Sequence, residues 1–112
     1  MSFPIVQKSE LETLLKDKAN FTLIDVRSYE ETKDNLIETA KVLPLPDIED
    51  ANKLSEDEFK SKYNFEKPKQ DDKIIFYCRS GARAGKACDA FLSFGYKNVS
   101  NYKGSAMEWF AK

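Results

Sequence analysis

A cysteine flanked by two arginines is the part of this sequence best suited to chemistry. The six residues, here called the cysteine loop, read Cys78-Arg79-Ser80-Gly81-Ala82-Arg83. They lie between the apolar run at residues 74–77 and a segment with helical spacing of apolar residues. Unpaired N–H groups at a helix N-terminus and nearby guanidinium groups both favour a thiolate. The sequence therefore predicts that Cys78 is a nucleophile and that the loop N–H groups bind an anion.

The alternative is that Cys78 is an inert, buried thiol that packs as a small hydrophobe. Two arginines and a glycine around the thiol disfavour it, since a purely structural turn does not need them. Near the loop we expect three cationic side chains, Arg79, Arg83 and Lys86, and no acidic one.

The sequence contains no histidine, which narrows the possible reactions. This absence excludes Ser-His and Cys-His nucleophile pairs and histidine-ligated zinc sites. The two cysteines cannot complete a structural zinc site without carboxylate ligands. Any catalysis must therefore use cysteine, arginine, lysine, carboxylate or backbone groups.

Other polar or reactive residues are expected to be structural. Cys88 falls on the apolar face of the helix after the loop and is predicted to lie in the core, although a resolving disulfide with Cys78 is the sharper alternative. Asp25 and Arg27 end a strand and are predicted to pair with backbone or neighbouring groups. The acidic pair Glu30-Glu31 is expected on a solvated face.

Composition indicates a single globular domain over residues 1–112. Apolar residues make up 41% of the chain and charged residues 33%, and the formal net charge is −1. This balance excludes a nucleic-acid footprint, and no apolar run approaches the roughly 18 residues of a membrane span. No secretory signal pattern is visible near residue 1, so we expect reduced thiols in the cytoplasm, or alternatively the mitochondrial matrix.

Alternating strand and helix patterns predict the fold class. Strands are expected at residues 21–26, 40–43, 73–78 and 98–102, and helices after residue 9, at 29–35, after 55, at 84–94 and at 104–110. Ser9, Ser28 and Ser55 each precede a glutamate by three residues, which is typical of capping boxes. The expected fold is α/β, with a mostly parallel central sheet of four to five strands flanked by helices on both faces.

The cysteine loop resembles the active-site loop of the rhodanese family, in particular its small single-domain thiosulfate sulfurtransferases. Leu23-Ile24-Asp25-Val26-Arg27 is similar to the family's early strand ending in Asp-Val-Arg. Residues 102–109 resemble its C-terminal Gly-Gly-x-x-x-Trp segment, with Ser105 in place of the second glycine. Residues 35–40 depart from the family, because they lack its usual His, Pro and Gly.

The resemblance implies sulfur transfer through a persulfide on Cys78. The donor would be thiosulfate or a related persulfide, and the acceptor cyanide, a small thiol such as glutathione, or a protein thiol. Arg79, Ser80, Gly81, Ala82 and Arg83 would bind substrate, with Arg79 steering the anionic donor and Arg83 bracing the loop against a carboxylate. No metal or organic cofactor is implied, because the protein itself carries the sulfur.

Two alternatives stay open. A rhodanese-like module could carry sulfur or bind a partner with little free turnover. A phosphatase or arsenate reductase of the same fold would carry one more residue between cysteine and arginine, whereas four residues separate Cys78 from Arg83 here. The shorter loop fits a single sulfur atom better than a tetrahedral oxyanion.

Overall fold

A five-stranded, wholly parallel sheet forms the centre of the molecule. The structure is a computed structural model and describes residues 2–111. The strands are β1 (Ile5–Val6), β2 (Thr22–Asp25), β3 (Lys41–Val42), β4 (Lys73–Tyr77) and β5 (Asn98–Tyr102). Their order across the sheet is β1-β5-β4-β2-β3, so β4 is central and every paired neighbour runs parallel to it.

In the described part of the chain, five α-helices connect these strands and a sixth follows β5. They are α1 (Lys8–Lys16), α2 (Tyr29–Thr32), α3 (Ile48–Lys53), α4 (Glu56–Tyr63), α5 (Ala82–Ser93) and α6 (Ser105–Trp109). A short 3-10 turn, Leu45–Asp47, leads into α3. Within the described residues, no helix has both the length and the apolar content needed to cross a bilayer.

Side chains of β4 alternate between two apolar cores, one on each face of the sheet. Phe76 belongs to the core that includes α3, α4 and α5, and its ring meets that of Phe91 at a centroid distance of 4.8 Å. Ile75 and Tyr77 belong to the other core, together with Leu11 of α1. Because both faces are covered, β4 reads as an unbroken apolar run, as the sequence predicts for a central parallel strand.

The structure confirms the predicted α/β class and corrects several details. Helix α1 begins after Gln7, whose capping box with Glu10 replaces the predicted box at Ser9. Strand β1 ends at Val6 and α1 begins at Lys8, so Gln7 alone separates them. The helix therefore starts earlier than the sequence predicts. The boxes at Ser28 and Ser55 are confirmed, although α2 ends at Thr32, earlier than expected.

Two elements were not predicted from the sequence. Strand β1 has only two residues at the edge of the sheet, too few to give an alternating pattern. Helix α3 lacks a side-chain capping hydrogen bond and simply continues the 3-10 turn that precedes it. Neither element has the local signals on which sequence interpretation depends.

Candidate active site

Cys78 lies at the carboxyl end of the central strand, in the position the sequence predicts. Strand β4 ends at Tyr77 and helix α5 begins at Ala82, so the cysteine loop spans the gap between them. Strand β4 lies between β5 and β2, which places the loop at the middle of the sheet edge. Ligand sites in open parallel sheets typically lie beyond this edge.

Two backbone N–H groups donate to the sulfur of Cys78. The N–H of Gly81 reaches Sγ at 3.1 Å, and that of Ala84 reaches it at 3.4 Å. Both groups belong to the first turn of α5 or its cap, where helix N–H groups have no intrahelical partner. Hydrogen bonds of this kind strengthen when the acceptor carries negative charge, so the site stabilises an anionic sulfur. Ala84 lies outside the predicted anion-binding range of residues 79–83.

Gly81 is required by the shape of the loop. Its φ is +95°, in the left-handed region that favours glycine. A Cβ at this position would lie 2.7 Å from the backbone oxygen of Lys103. The close approach of these two backbone segments is therefore possible only without a side chain.

Arg83 pairs with the carboxylate of Glu31. Its guanidinium donates two hydrogen bonds to the carboxylate, at 2.8 and 3.0 Å. The bond to Arg83 lowers the pKa of Glu31 to about 2, and the same bond raises the pKa of Arg83. Arg83 thus braces the loop against a carboxylate, as suggested. The expectation of no acidic group near the loop was wrong. Of the pair expected on a solvated face, Glu30 is exposed and Glu31 is half-buried.

A cavity of about 260 Å³ opens beside the cysteine loop. Its walls include the exposed Arg79, the buried Arg27 and residues of α6, among them Ala106. The N–H of Ala106 donates to the Cys78 carbonyl at 3.0 Å, so the cavity wall is directly bonded to the cysteine. Cys78 itself is 1% exposed and does not line the cavity. Glu31 and Asp34 also line this cavity, so carboxylates as well as the guanidinium groups of Arg27 and Arg79 border the space beside Cys78.

The remaining loop residues face solvent. Ser80 and Ala82 are exposed, and Ser80 borders a second cavity with Lys103 and Met107. Among the hydrogen bonds of residues 2–111, none joins the backbone N–H of Ser80 or Ala82 to Sγ. The substrate contacts predicted for these two residues stay predictions.

Asp25 and Arg27 form a buried ion pair below the cavity. The guanidinium lies 2.8 Å from the Asp25 carboxylate and also donates to the Asn35 carbonyl at 2.9 Å. It stacks over the Tyr77 ring, 5.9 Å from the centroid. These contacts match the structural role expected for the pair, and they also fix Arg27 in the cavity wall.

Cys88 is a core residue, as predicted. It is fully buried on α5, and burial raises the pKa of its thiol to about 12, with a further contribution from Asp89. Both cysteines are free, so the structure does not contain the alternative disulfide. A protonated, enclosed thiol is a poor nucleophile.

Sequence reasoning missed three residues at the site. Glu31 was predicted to cap a helix and to lie on a solvated face, and nothing in the sequence links it to Arg83, 52 residues away. Ala84 was read only as part of a helix face. Ser105 donates and accepts hydrogen bonds next to Cys78, and its departure from the glycine of the resembled motif was the one available signal.

A parallel sheet with a cysteine held by helix N–H groups at its carboxyl edge defines a known class of α/β domain. The chain belongs to the rhodanese-like domain family, whose model matches residues 7–112. Its relatives include a human thiosulfate:glutathione sulfurtransferase, 36% identical over 110 residues that cover 97% of this chain and 95% of that protein. A mitochondrial thiosulfate sulfurtransferase of Saccharomyces cerevisiae is 40% identical over 90 residues, or 80% of this chain.

Solved structures show the same similarity. A human single-domain sulfurtransferase superposes with a TM-score of 0.92 at 35% identity, covering 99% of this chain and 98% of that one. A single-domain sulfurtransferase of Saccharomyces cerevisiae gives 0.89 at 33% identity, covering 99% and 91%. The chain spans 61% and 60% of the lengths of two mitochondrial relatives, from Schizosaccharomyces pombe and Saccharomyces cerevisiae.

Proposed function

We propose that this protein is a sulfurtransferase that carries a sulfane sulfur on Cys78, from thiosulfate or a related persulfide donor to a thiol or cyanide acceptor. The observation that carries the proposal is the pair of N–H groups, from Gly81 and Ala84, directed at Sγ. They supply fixed positive dipoles for a sulfur anion without any histidine. We take residues 1–112 as one rhodanese-like domain.

In the first half-reaction the Cys78 thiolate attacks the outer sulfur of thiosulfate. A new S–S bond forms on Cys78, the S–S bond of thiosulfate breaks, and sulfite leaves with the bonding electron pair. The product is a Cys78 persulfide whose terminal sulfur bears the negative charge. The positive charge of Arg79 attracts the dianionic donor into the adjacent cavity. Because Cys78 does not line this cavity, the outer sulfur of the donor must move past the wall residues to reach Sγ.

In the second half-reaction an acceptor thiolate attacks the terminal sulfur. The acceptor leaves as a persulfide, and the electron pair of the broken S–S bond returns to Cys78 as thiolate. Cyanide would leave as thiocyanate by the same displacement. The activities named for the relatives support thiosulfate as donor and glutathione as one acceptor.

The burial of Cys78 supports a second candidate, in which the domain passes sulfur mainly to one protein partner. A thiol that is 1% exposed is shielded from bulky acceptors until a partner opens the site. A phosphatase is less well supported. Four residues separate Cys78 from Arg83, one fewer than in the phosphatase loop, and the shorter loop fits a single sulfur atom better than a tetrahedral oxyanion.

A thiocyanate assay tests the proposal. The protein is incubated with thiosulfate and cyanide, and thiocyanate is measured over time. We expect turnover by the wild type, loss of turnover in Cys78→Ala, and near wild-type turnover in the matched control Cys88→Ala. Absence of turnover with cyanide and with glutathione would favour the partner-dependent module. Turnover retained in Cys78→Ala would overturn the role of Cys78.

The compartment is also part of the proposal. Reduced thiols fit the cytoplasm or the mitochondrial matrix, and the mitochondrial relatives lend support to the matrix.

A further inference from the structure

Ser105 occupies an unusual backbone position directly beside the cysteine. It is fully buried and has a φ of +58°, in the left-handed region that side chains with a Cβ disfavour. The conformation explains why a glycine suits this position in the motif that the sequence resembles. Because serine is strained in this conformation, we expect its hydroxyl to make a stabilising contact that glycine cannot make.

The hydroxyl of Ser105 joins two strand ends. It accepts a hydrogen bond from the N–H of Cys78 at 3.2 Å and donates one to the Tyr102 carbonyl at 2.8 Å. Tyr102 ends β5, and Cys78 immediately follows β4. The first N–H group after the central strand is therefore held by a side chain and not by the sheet.

Two neighbouring backbone bonds complete the attachment. The N–H of Ala106 donates to the Cys78 carbonyl at 3.0 Å, and the N–H of Met107 donates to the Arg79 carbonyl at 3.0 Å. The Cys78 backbone is thus held on both sides of its Cα, by Ser105 before it and by Ala106 after it. With Cα fixed in this way, Sγ keeps its orientation toward the N–H groups of Gly81 and Ala84.

We propose that Ser105 is a positioning residue for Cys78: its hydroxyl fixes the Cys78 amide so that Sγ stays directed at the N–H groups of Gly81 and Ala84. The inference rests on the proposed function for its catalytic consequence. Without the hydroxyl, the buried Cys78 N–H has no partner, and the peptide before Cys78 turns to find one. That rotation moves Sγ away from its donors and lowers the reactivity of the sulfur, while Arg79 continues to attract the donor.

The variant Ser105→Gly separates positioning from folding. Glycine removes the hydroxyl but adopts the left-handed conformation without strain, so the fold is retained. Ser105→Ala removes the same hydroxyl and keeps the strain. Ser93→Ala is the matched control, because the Ser93 hydroxyl also donates to a carbonyl three residues earlier, at 2.6 Å, on the exposed end of α5.

Three readouts are measured at neutral pH: the rate of Cys78 alkylation by iodoacetamide, resolved by peptide mass; hydrogen exchange of the Cys78 amide; and single-turnover sulfur transfer from thiosulfate. In Ser105→Gly and Ser105→Ala we expect alkylation and saturated sulfur transfer to fall about tenfold, as for loss of one buried hydrogen bond. The half-saturating thiosulfate concentration should stay unchanged, and exchange of the Cys78 amide should accelerate. Ser93→Ala should match the wild type throughout.

Wild-type alkylation and a protected Cys78 amide in Ser105→Gly would overturn the inference. Alkylation and exchange need no sulfur donor. A wild type that fails to transfer sulfur from thiosulfate therefore counts against the proposed function alone, and the comparison of Ser105 variants still stands.

Discussion

Arg83 and Glu31 form a bidentate ion pair that joins the helix after the cysteine loop to helix α2, with N–O distances of 2.8 and 3.0 Å. The pair neutralises the second arginine of the cysteine loop. The free positive charge next to Cys78 in the loop therefore belongs to Arg79, which is exposed at the cavity. We therefore propose that the two arginines have separate tasks: Arg83 braces the loop and Arg79 attracts the anionic donor.

Replacing Glu31 should loosen this brace. Glu31→Gln keeps the size and capping ability of the side chain but removes the charge that holds Arg83. Because the two side chains are 33% and 35% exposed, we expect a loss of at most about 1 kcal/mol in the free energy of unfolding. Turnover with thiosulfate should fall by about two- to fivefold as the loop loosens.

The matched control for this change is Glu30→Gln. Glu30 pairs with Lys33 at 3.5 Å, with both side chains largely exposed. Urea unfolding and the thiocyanate assay should both give wild-type values for this control. Equal behaviour of the two variants would contradict a bracing role for Glu31.

The contribution of Glu31 to the free energy of unfolding should decrease at acid pH. Its pKa is about 2 in the folded protein, against an ordinary value of 4.5. A carboxyl whose pKa is lower in the folded state stabilises the fold when ionised, so the contribution is complete above pH 4.5 and is lost as pH falls toward 2. The measurement is the difference in unfolding free energy between wild type and Glu31→Gln across this range. A difference that stays constant down to the lowest pH would refute the assignment.

Removing the free arginine should weaken binding of the donor. In Arg79→Ala we expect the half-saturating thiosulfate concentration to rise by about five- to tenfold, because one partly screened charge is lost beside the cavity. The dependence of this concentration on added salt should also flatten. Lys97→Ala, which removes an exposed lysine paired with Asp71 at 3.9 Å, is the charge-matched control and should leave both quantities unchanged.

Two glycines at the start of α5 should respond in opposite ways to alanine. Gly81→Ala forces a Cβ into the left-handed region and to 2.7 Å from the Lys103 oxygen, so we expect a loss of about 2 kcal/mol or more and strongly reduced turnover. Gly85→Ala adds a Cβ at ordinary contact distances, 3.5 Å from Phe3 and 3.7 Å from Asn101. This helical substitution should be neutral or stabilise by up to about 1 kcal/mol. Urea unfolding of both variants tests the contrast, and equal losses would contradict it.

The central part of the fold was predictable because its signals are local. The unbroken apolar run of β4 and the helical spacing of α5 place Cys78 correctly at a strand-to-helix junction. The capping boxes at Ser28 and Ser55 fix two helix starts from side chains three residues apart. Each of these features depends on residues that are close together in the sequence.

The missed features depend on contacts between distant segments. Glu31 of α2 pairs with Arg83 of α5, which is 52 residues away in sequence. The capping contact of Glu31 with Ser28 is local and predictable, but its ion pair with Arg83 is not. Ser105 reaches Cys78 across 27 residues because β5 lies beside β4. Periodicity and capping patterns carry no information about such pairs, so the site required the three-dimensional structure.

The mass of the intact protein after incubation with thiosulfate tests the role of Cys78 most directly. The wild type and Cys88→Ala should each gain one sulfur atom, about 32 Da, and lose it again when cyanide is added. Cys78→Ser should gain none. An unchanged wild-type mass, or the same gain in Cys78→Ser, would contradict sulfur transfer through Cys78.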